Sequence, residues 1–499
     1  MLPIAKRGQK LFFTAEIPIF RNLIHVSLAI ALVLFWVGAF EELGHASTVN
    51  AASCSANDVN TAIASASDGD TVLLPPCSST WSGTATPPIT FCKSITLQGS
   101  GVGITNITGV EKTQGLGGAI YVANCANKTI RITNFSMISG GIAQGLIFFA
   151  YTQGSTIRVD HMSFDGGTNG DGALSVYGGY GVADHNTFMN SSLLVQHPVS
   201  GDSQMGNTSW TLGPSFGTGN AFYFEDNTFN DTVYTEKDCA DGGRVVYRYN
   251  TFTSYGPFTH GFDTTPRSCF ELDAYNNTFT GAGFNQLYYM FRYRGGSGLL
   301  YNNLWKGNVP SMGYIHIENY RSYSPNGEPI LSGYGSCDGT SSYDGNTSAT
   351  AKYHGWPCRD QIGRGTNQGS YPLYSWNNCI GSSLGCSSTD QATISVVGGG
   401  TTDYTPAQII ENRDFYQMVA SFNGTAGVGH GPYASLPASC AVNSDTGKGP
   451  AYWATDLNKL YQCSATNTWT LYYTPFTYPH PLVGSQTVSP PTGLSASVI

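Results

Sequence analysis

Val182-Ala-Asp-His-Asn-Thr-Phe188 decides the fold, because the phrase returns with changes along the chain. Its other copies are Arg158-Val-Asp-His-Met-Ser-Phe164, Tyr223-Phe-Glu-Asp-Asn-Thr-Phe229, Val246-Tyr-Arg-Tyr-Asn-Thr-Phe252, Asp273-Ala-Tyr-Asn-Asn-Thr-Phe279 and Leu299-Leu-Tyr-Asn-Asn-Leu-Trp305. The closing aromatics recur about every 25 residues, with one interval stretched by an insertion, and such a period marks a solenoid of stacked coils. Five and seven residues before each aromatic the side chains are small or apolar, as in Ile157/Val159, Phe222/Phe224 and Leu272/Ala274. These point inward, so strand alternation turns the residues four, six and eight before it outward. Asn186, Asn227, Asn250, Asn277 and Asn303 stand two residues before the aromatic. Stacked at a tight turn, their amides can hydrogen-bond from coil to coil. The column from Phe164 to Trp305 is core by the same reasoning.

Composition agrees. Of 499 residues, 61 are Gly and only 11% are charged, a turn-rich, all-β profile. The net charge of −9 argues against a nucleic-acid partner. Lys6, Arg7, Lys10 and Arg21 precede the apolar run from Leu23 to Phe40, and Gly44-His45-Ala46 offers small residues for cleavage. Residues 1–46 therefore read as a secretory signal peptide, with an uncleaved anchor as the alternative. No later stretch is long and apolar enough to span a membrane, so no stable membrane partner is expected after cleavage. All 12 cysteines follow Ala46, and with an export signal they imply disulfides. Local pairs such as Cys337–Cys358, Cys379–Cys386 and Cys440–Cys463 are the simplest. Zinc is disfavoured, since neither a Cys-x-x-Cys nor a histidine cluster accompanies them.

Residues 47–130 read as an N-terminal cap and first coils. Asn57 to Ala66 is a short amphipathic helix with Val59, Ala62, Ile63 and Ala66 on one face. The strands Thr71–Pro75, Ser94–Gln98 and Ile104–Thr108 follow. The helix, then Asp68-Gly-Asp-Thr-Val-Leu-Leu-Pro75 and Ile95-Thr-Leu-Gln-Gly-Ser-Gly101, resembles the opening of right-handed parallel β-helix proteins of the pectate-lyase-like superfamily. The Asn-x-Phe phrase resembles their coil turns. That resemblance covers about residues 54–385 and implies a right-handed parallel β-helix, while leaving the activity open among lyases, hydrolases, isomerases and adhesins. The solenoid is expected over 131–385, with Tyr374 to Ile380 a further coil about three periods after Trp305 and a long loop from Gly333 to Gly369 between them. A C-terminal capping region follows over 386–488. In it, Pro406–Phe415 reads as a helical element. Ala451–Tyr461 with Trp469–Tyr473 reads as a small aromatic hairpin sealing the far end, its alternative being carbohydrate binding. Residues 489–499 resemble the lead-in to a fibronectin type III module and form a tail.

On the outward face Asp160, Asp184, Glu225, Arg248, Tyr275 and Tyr301 fall in one line, with Arg244 beside Glu271; neighbouring coils lie about 4.8 Å apart. A polar, aromatic-edged strip on a rigid sheet suits a linear polysaccharide, and a solvated face of cross-strand ion pairs is its bland alternative. From Lys237 to Arg321 there are eight basic residues, against one from Tyr151 to Glu236, a local positive patch apt for an anionic substrate. Similar secreted β-helix proteins carry Gly-Gly-Arg-x-Val, His-Gly, an Arg, a Glu and Arg-Gly-Gly. Here these match Arg244, His260, Arg267, Glu271 and Arg294, with no settled reaction implied.

Elimination from a uronate needs a cation on the carboxylate, a base for the C5 proton and a donor for the leaving oxygen. Arg244, Arg267 and Arg294 supply charge, and His260 or one of the arginines serves as base, with Glu271 completing the catalytic set. Arg248, Tyr275, Tyr301, Arg292 and Arg321 are the expected substrate contacts. Calcium is the cofactor the resemblance implies, with Asp160, Asp184 and Glu225 as its candidate ligands. The familiar pectate-lyase active-site sequences are not evident, which leaves pectate itself in doubt. Hydrolysis is the rival chemistry, through Glu271 with Asp273 or Asp238 with Asp241; a non-catalytic glycan-binding adhesin is the rival class. The expectation is a secreted, monomeric polysaccharide lyase acting on an acidic extracellular glycan.

Overall fold

The computed structural model describes residues 46–83, 86–111, 118–141, 145–196, 213–253, 256–260, 269–281, 289–310, 312–319, 362–364, 369–398 and 409–484. From Thr48 onward the chain forms one compact unit. It is a parallel β-helix. Three long sheets of 12, 10 and 10 strands each take one strand from each successive coil. The coil Thr156–Asp160, Ser163–Asp165, Gly172–Tyr177 illustrates the order, and its strands define sheets A, B and C in turn. Each strand pairs in parallel with its counterpart one coil on, as in Asp160 with Asp184 and Phe164 with Phe188.

The repeat builds this interior as its alternation predicts. Ile157, Val159, Phe222, Phe224, Leu272 and Ala274 all join one buried cluster that runs through the coils. The closing aromatics stack in a column, with Phe164–Phe188 at 5.0 Å, Phe188–Phe229 at 5.0 Å, Phe229–Phe252 at 4.6 Å and Phe252–Phe279 at 4.8 Å. Beside it the asparagine ladder is continuous. Each Nδ2 donates to the next Oδ1, from Asn186 (3.0 Å) through Asn227 (3.1 Å), Asn250 (3.0 Å) and Asn277 (2.9 Å) to Asn303 (2.8 Å), which reaches Asn378. Every rung also satisfies a backbone carbonyl, such as that of Phe224 by Asn250. Buried turn groups are thereby paired from the coil of Asn186 to that of Asn378. The residue before each rung sits in the left-handed region: His185, Asp226, Tyr249, Asn276, Asn302 and Asn377 have φ from 50° to 59°. This forms the corner between sheets A and B, and Asn and Asp tolerate it best. Gly181, at φ 145°, is required for another reason: a Cβ there would collide with the carbonyl oxygen of Ile157 in the preceding coil.

The N-terminal helix spans Ala56–Ser65, capped by the Ser55 hydroxyl, and buries Val59, Ala62 and Ile63. Five disulfides join Cys54 to Cys77, Cys92 to Cys125, Cys239 to Cys269, Cys379 to Cys386 and Cys440 to Cys463. The last two are pairs expected from local spacing; Cys337 and Cys358 lie outside the described residues. So do the apolar N-terminal run and the tail 489–499. Five disulfides point to folding in an oxidising compartment. Among the described residues no helix is long and apolar enough to cross a membrane.

Three expectations are corrected. Tyr374–Ile380 is not three coils beyond Trp305 but the very next one, since Tyr301 pairs with Trp376 and Trp305 with Ile380. The intervening residues are an insertion into one coil, which is why the period blurs there. The stretch before Phe415 is not helical among its described residues. Ile409–Asp414 turns, and Phe415–Gln417 is a strand of sheet A.

The third correction concerns the C-terminal region, which does not seal the end of the solenoid. Its sheet, built from Val428–Gly431, Ala451–Ala454, Lys459–Ala465 and Thr468–Tyr473, packs on the outer face of sheet A. Trp453 lies 5.3 Å from Tyr301 and 5.2 Å from Trp376, ring to ring. The chain then runs back along that face. Phe476 and Thr477 accept from Arg248 at 2.8 Å each, the amide of His480 donates to Glu225 at 2.8 Å, and Leu482 accepts from Arg158 at 3.1 Å.

Candidate active site

The outward line on sheet A exists, since Asp160, Asp184, Glu225, Arg248, Tyr275 and Tyr301 face one another in register from coil to coil. It is not a substrate surface. Arg248, Tyr275 and Tyr301 are at most 3% exposed beneath the C-terminal sheet and the strap, Phe476 to Leu482, that follows it. Tyr275, Tyr301 and Trp376 stack face to face at 4.7 and 4.5 Å, and Arg248 lies over Tyr223 at 4.7 Å. A strand face covered by apolar and aromatic groups contributed from residues far along the chain is core, whatever its alternation suggests.

The same burial corrects the metal ligands. Arg131 grips Asp160 with two bonds of 2.7 Å, Arg158 grips Asp184 with two of 2.9 Å, and Arg248 meets Glu225 at 2.6 Å. Asp160, His161 and Asp184 do place ligand atoms within 4.8 Å of one another. With guanidinium groups on both carboxylates, however, this set does not fit a calcium ion, which takes several uncommitted oxygens. Glu225 is further occupied by the strap amide.

Arg244 and Glu271 are neighbours on sheet A, as expected, but buried at 3% and 0% exposure. Gly213 accepts from Arg244 at 3.1 Å, and the amide of Ser215 donates to Glu271. Burial pushes Glu271 up to about 7, against the pull of Arg244 and Ser215. Burial and the charge of Glu271 hold Asp273 well above the usual carboxylate range. Neither carboxyl is open to a polymer, so the hydrolytic pair Glu271–Asp273 is corrected as well. Arg267 and Arg321 lie outside the described residues.

The remaining expected residues, His260, Arg292 and Arg294, do converge, on the outer face of sheet C. Strand Lys237–Cys239 turns Lys237 and Cys239 inward, so Asp238 faces out and Glu236 stands beside it. In the next coil Pro257–Thr259 puts Phe258 opposite Asp238, and His260 follows. In the next, Phe291–Tyr293 sets Arg292 opposite Phe258, and the backbone amide of Arg294 donates to the Thr259 hydroxyl at 2.8 Å. Ile315–Asn319 closes the group with His316 opposite Arg292.

These groups form two connected sets. His260 Nδ1 lies 2.9 Å from Asp238 Oδ2. The other Asp238 oxygen is buried with no hydrogen-bond partner among the described residues. Glu318 accepts from Arg292 at 2.9 and 2.7 Å, meets His316 Nε2 at 3.0 Å, and lies 3.5 Å from Arg294. Burial pushes Glu318 up, but His316 and Arg292 outweigh it and bring the carboxyl down to about 2. Glu236 shifts the other way: burial and the neighbouring Asp238 charge raise it, with Tyr234, His260 and Arg292 opposing. Beside the carboxylates is a depression of about 230 Å³, lined by Ser175, Tyr177, Leu194, Glu236 and Asp238 among others. An oriented imidazole, an acid raised by burial and the Arg292 guanidinium are thus partly exposed on one face, while Arg294 is buried at 5% exposure. Asp241 sits in a left-handed corner and is 3% exposed.

Sequence reading missed Glu236, His316 and Glu318 as members. Ile315-His-Ile-Glu-Asn319 alternates apolar and polar residues, and that period-two pattern is the signal that could have found the last two.

No family model matches this chain. No curated protein matches it either. Among solved structures, an alginate lyase from Paenibacillus sp. str. FPU-7 overlaps 71% of this chain and 92% of its own, at 13% identity and a TM-score of 0.32.

Proposed function

We propose that the protein is a secreted, monomeric polysaccharide lyase that cleaves a uronate-containing glycan by β-elimination on the outer face of sheet C. The observation that carries this reading is the meeting of the His260–Asp238 pair with Arg292 and Arg294 on adjoining strands. Asp238 orients the ring through Nδ1, so Nε2 is the nitrogen that takes the C5 proton. Arg294 and Arg292, held in place by Glu318, bind the uronate carboxylate and stabilise the charge that builds on it as the proton leaves. The electron pair forms the C4–C5 double bond, the C4–O4 bond breaks, and Glu236 gives O4 its proton. A carboxyl raised by burial and a like charge suits that acid role.

A second reading rests on Glu236 and Asp238. They stand two residues apart on one strand face beside the same depression, one raised and one with an unpaired oxygen. A glycoside hydrolase uses such a pair as acid and base. Purified protein incubated with a panel of uronate polymers separates the two. Elimination gives an unsaturated product absorbing at ~235 nm. New reducing ends without that absorbance overturn the lyase reading in favour of hydrolysis, and retention of polymer without any product leaves a binding protein.

A further inference from the structure

We infer that the outer face of sheet C, from the charged cluster past the depression toward Tyr121, provides subsites for uncharged sugars. The polymer then carries its carboxylate on the sugar beside Arg292 and Arg294 and neutral sugars farther along. This rests on the lyase reading and adds the pattern of the substrate. One outward column of sheet C runs in register from Arg292 through Phe258, Asp238, Leu194, Ser175 and Phe148 to Tyr121. Strands about 4.8 Å apart make that column straight; Arg292, Leu194 and Tyr121 are its partly exposed members, whereas Phe258 and Ser175 are 1% exposed.

The two halves of the column differ. Strands Ile120–Ala123, Ile147–Ala150, Gly172–Tyr177 and Ser192–Gln196 contain no charged residue. They present aromatic rings instead. Tyr121, Phe148 and Tyr177 stand outside the interior cluster, with ring centroids 5.5 and 4.6 Å apart, and Tyr151 beside them is 41% exposed. Aromatic faces bind the C–H faces of sugar rings and offer nothing to a carboxylate. Between them and the arginines lie Glu236 and Asp238, which would repel a second uronate placed there. The buried Asp238 oxygen that lacks a donor matches a sugar hydroxyl.

Initial rates on polygalacturonate, polymannuronate and a backbone alternating galacturonate with rhamnose test this. The expected result is a kcat/KM at least about tenfold higher on the alternating polymer. Tyr121→Ala, and Phe148→Leu as the variant gentler to the fold, are expected to raise KM on it about fivefold while leaving kcat and the KM for a trisaccharide unchanged. Equal or better turnover of a homopolymer, or a KM indifferent to both substitutions, overturns the inference while leaving the lyase reading standing. If no polymer yields unsaturated product, the lyase reading fails, and calorimetry with the neutral probe cellohexaose decides the subsites alone. Binding weakened by Tyr121→Ala supports them, and no binding overturns them.

Discussion

His260 Nδ1 and Asp238 Oδ2 lie 2.9 Å apart across two neighbouring strands of sheet C, and this contact orients the imidazole. Removing the carboxylate while keeping its shape isolates that role. Asp238→Asn leaves an amide that can present the wrong partner to the ring, and it is expected to lower kcat by about 10²–10⁴. His260→Ala and Arg294→Ala are expected to abolish turnover. Circular dichroism and melting temperature close to wild type are expected for His260→Ala, because its ring is only partly covered. A collapse of the fold in that variant would count against a catalytic role.

The carboxylates of sheet A are expected to matter for stability and not for metal. Asp184→Asn removes the carboxylate that Arg158 grips and leaves the guanidinium, 7% exposed, with Asp160 at 3.4 Å and the Leu482 carbonyl. Because those partners remain, the cost is expected below the roughly 3 kcal/mol of a fully stranded buried charge. Denaturant midpoints of the wild type in excess chelator and in millimolar calcium are expected to coincide, as are the initial rates. A midpoint that falls in chelator and recovers with calcium would return Asp160, Asp184 and Glu225 to the role of ligands.

Why sheet A misled while the solenoid itself was legible has a physical answer. Asn186, Asn227, Asn250 and Phe188, Phe229, Phe252 repeat because every coil must solve the same corner and the same core, so the sequence carries the fold redundantly. Alternation also placed Arg248 and Tyr275 outward correctly. What covers them is set by Phe476 and Thr477, more than 200 positions away, as the separations of 228 and 229 residues in those bonds record. No local pattern encodes that contact. Sheet C was hard to read for the opposite reason. Lys237-Asp-Cys239, Pro257-Phe-Thr259 and Phe291-Arg-Tyr293 share no motif, because their outward residues differ in each coil where the site is built.

The Glu271 carboxyl supplies a pH test of the cover over sheet A. Its folded value, raised to about 7 from an ordinary 4.5, means that folding favours the protonated form. The contribution to stability is therefore full below pH 4.5 and is lost as pH rises through about 7. Glu271→Gln keeps an oxygen for the Ser215 amide and removes the charge. The variant is expected to match wild type at about pH 4 and to melt higher at about pH 8, by an amount on the order of 2–3 kcal/mol. A variant that is less stable at the higher pH would mean that Glu271 is held ionised by Arg244.

His480 works in the reverse direction on the strap. Burial, with Arg248 and Arg158 adding repulsion, lowers it to about 4 from an ordinary 6.5. The released strap binds a proton more readily than the docked one, so docking is at full strength above pH 6.5 and weakens as pH falls toward 4. The loss reaches about 2 kcal/mol near pH 5, if the released histidine titrates normally. Because Glu271 and Asp273 gain stability over part of the same range, a global melt would blur the two. Hydrogen exchange of the amides from Phe476 to Val483 reads the strap alone. Acidification from about pH 7 to 5 is expected to speed their intrinsic-rate-corrected exchange at least tenfold in the wild type. His480→Asn retains an acceptor for the Leu482 amide, which His480 Nδ1 now takes at 3.2 Å, and should show no such acceleration. Equal acceleration in both proteins would assign the loosening to another group, leaving the strap contacts of Glu225 as the place to look.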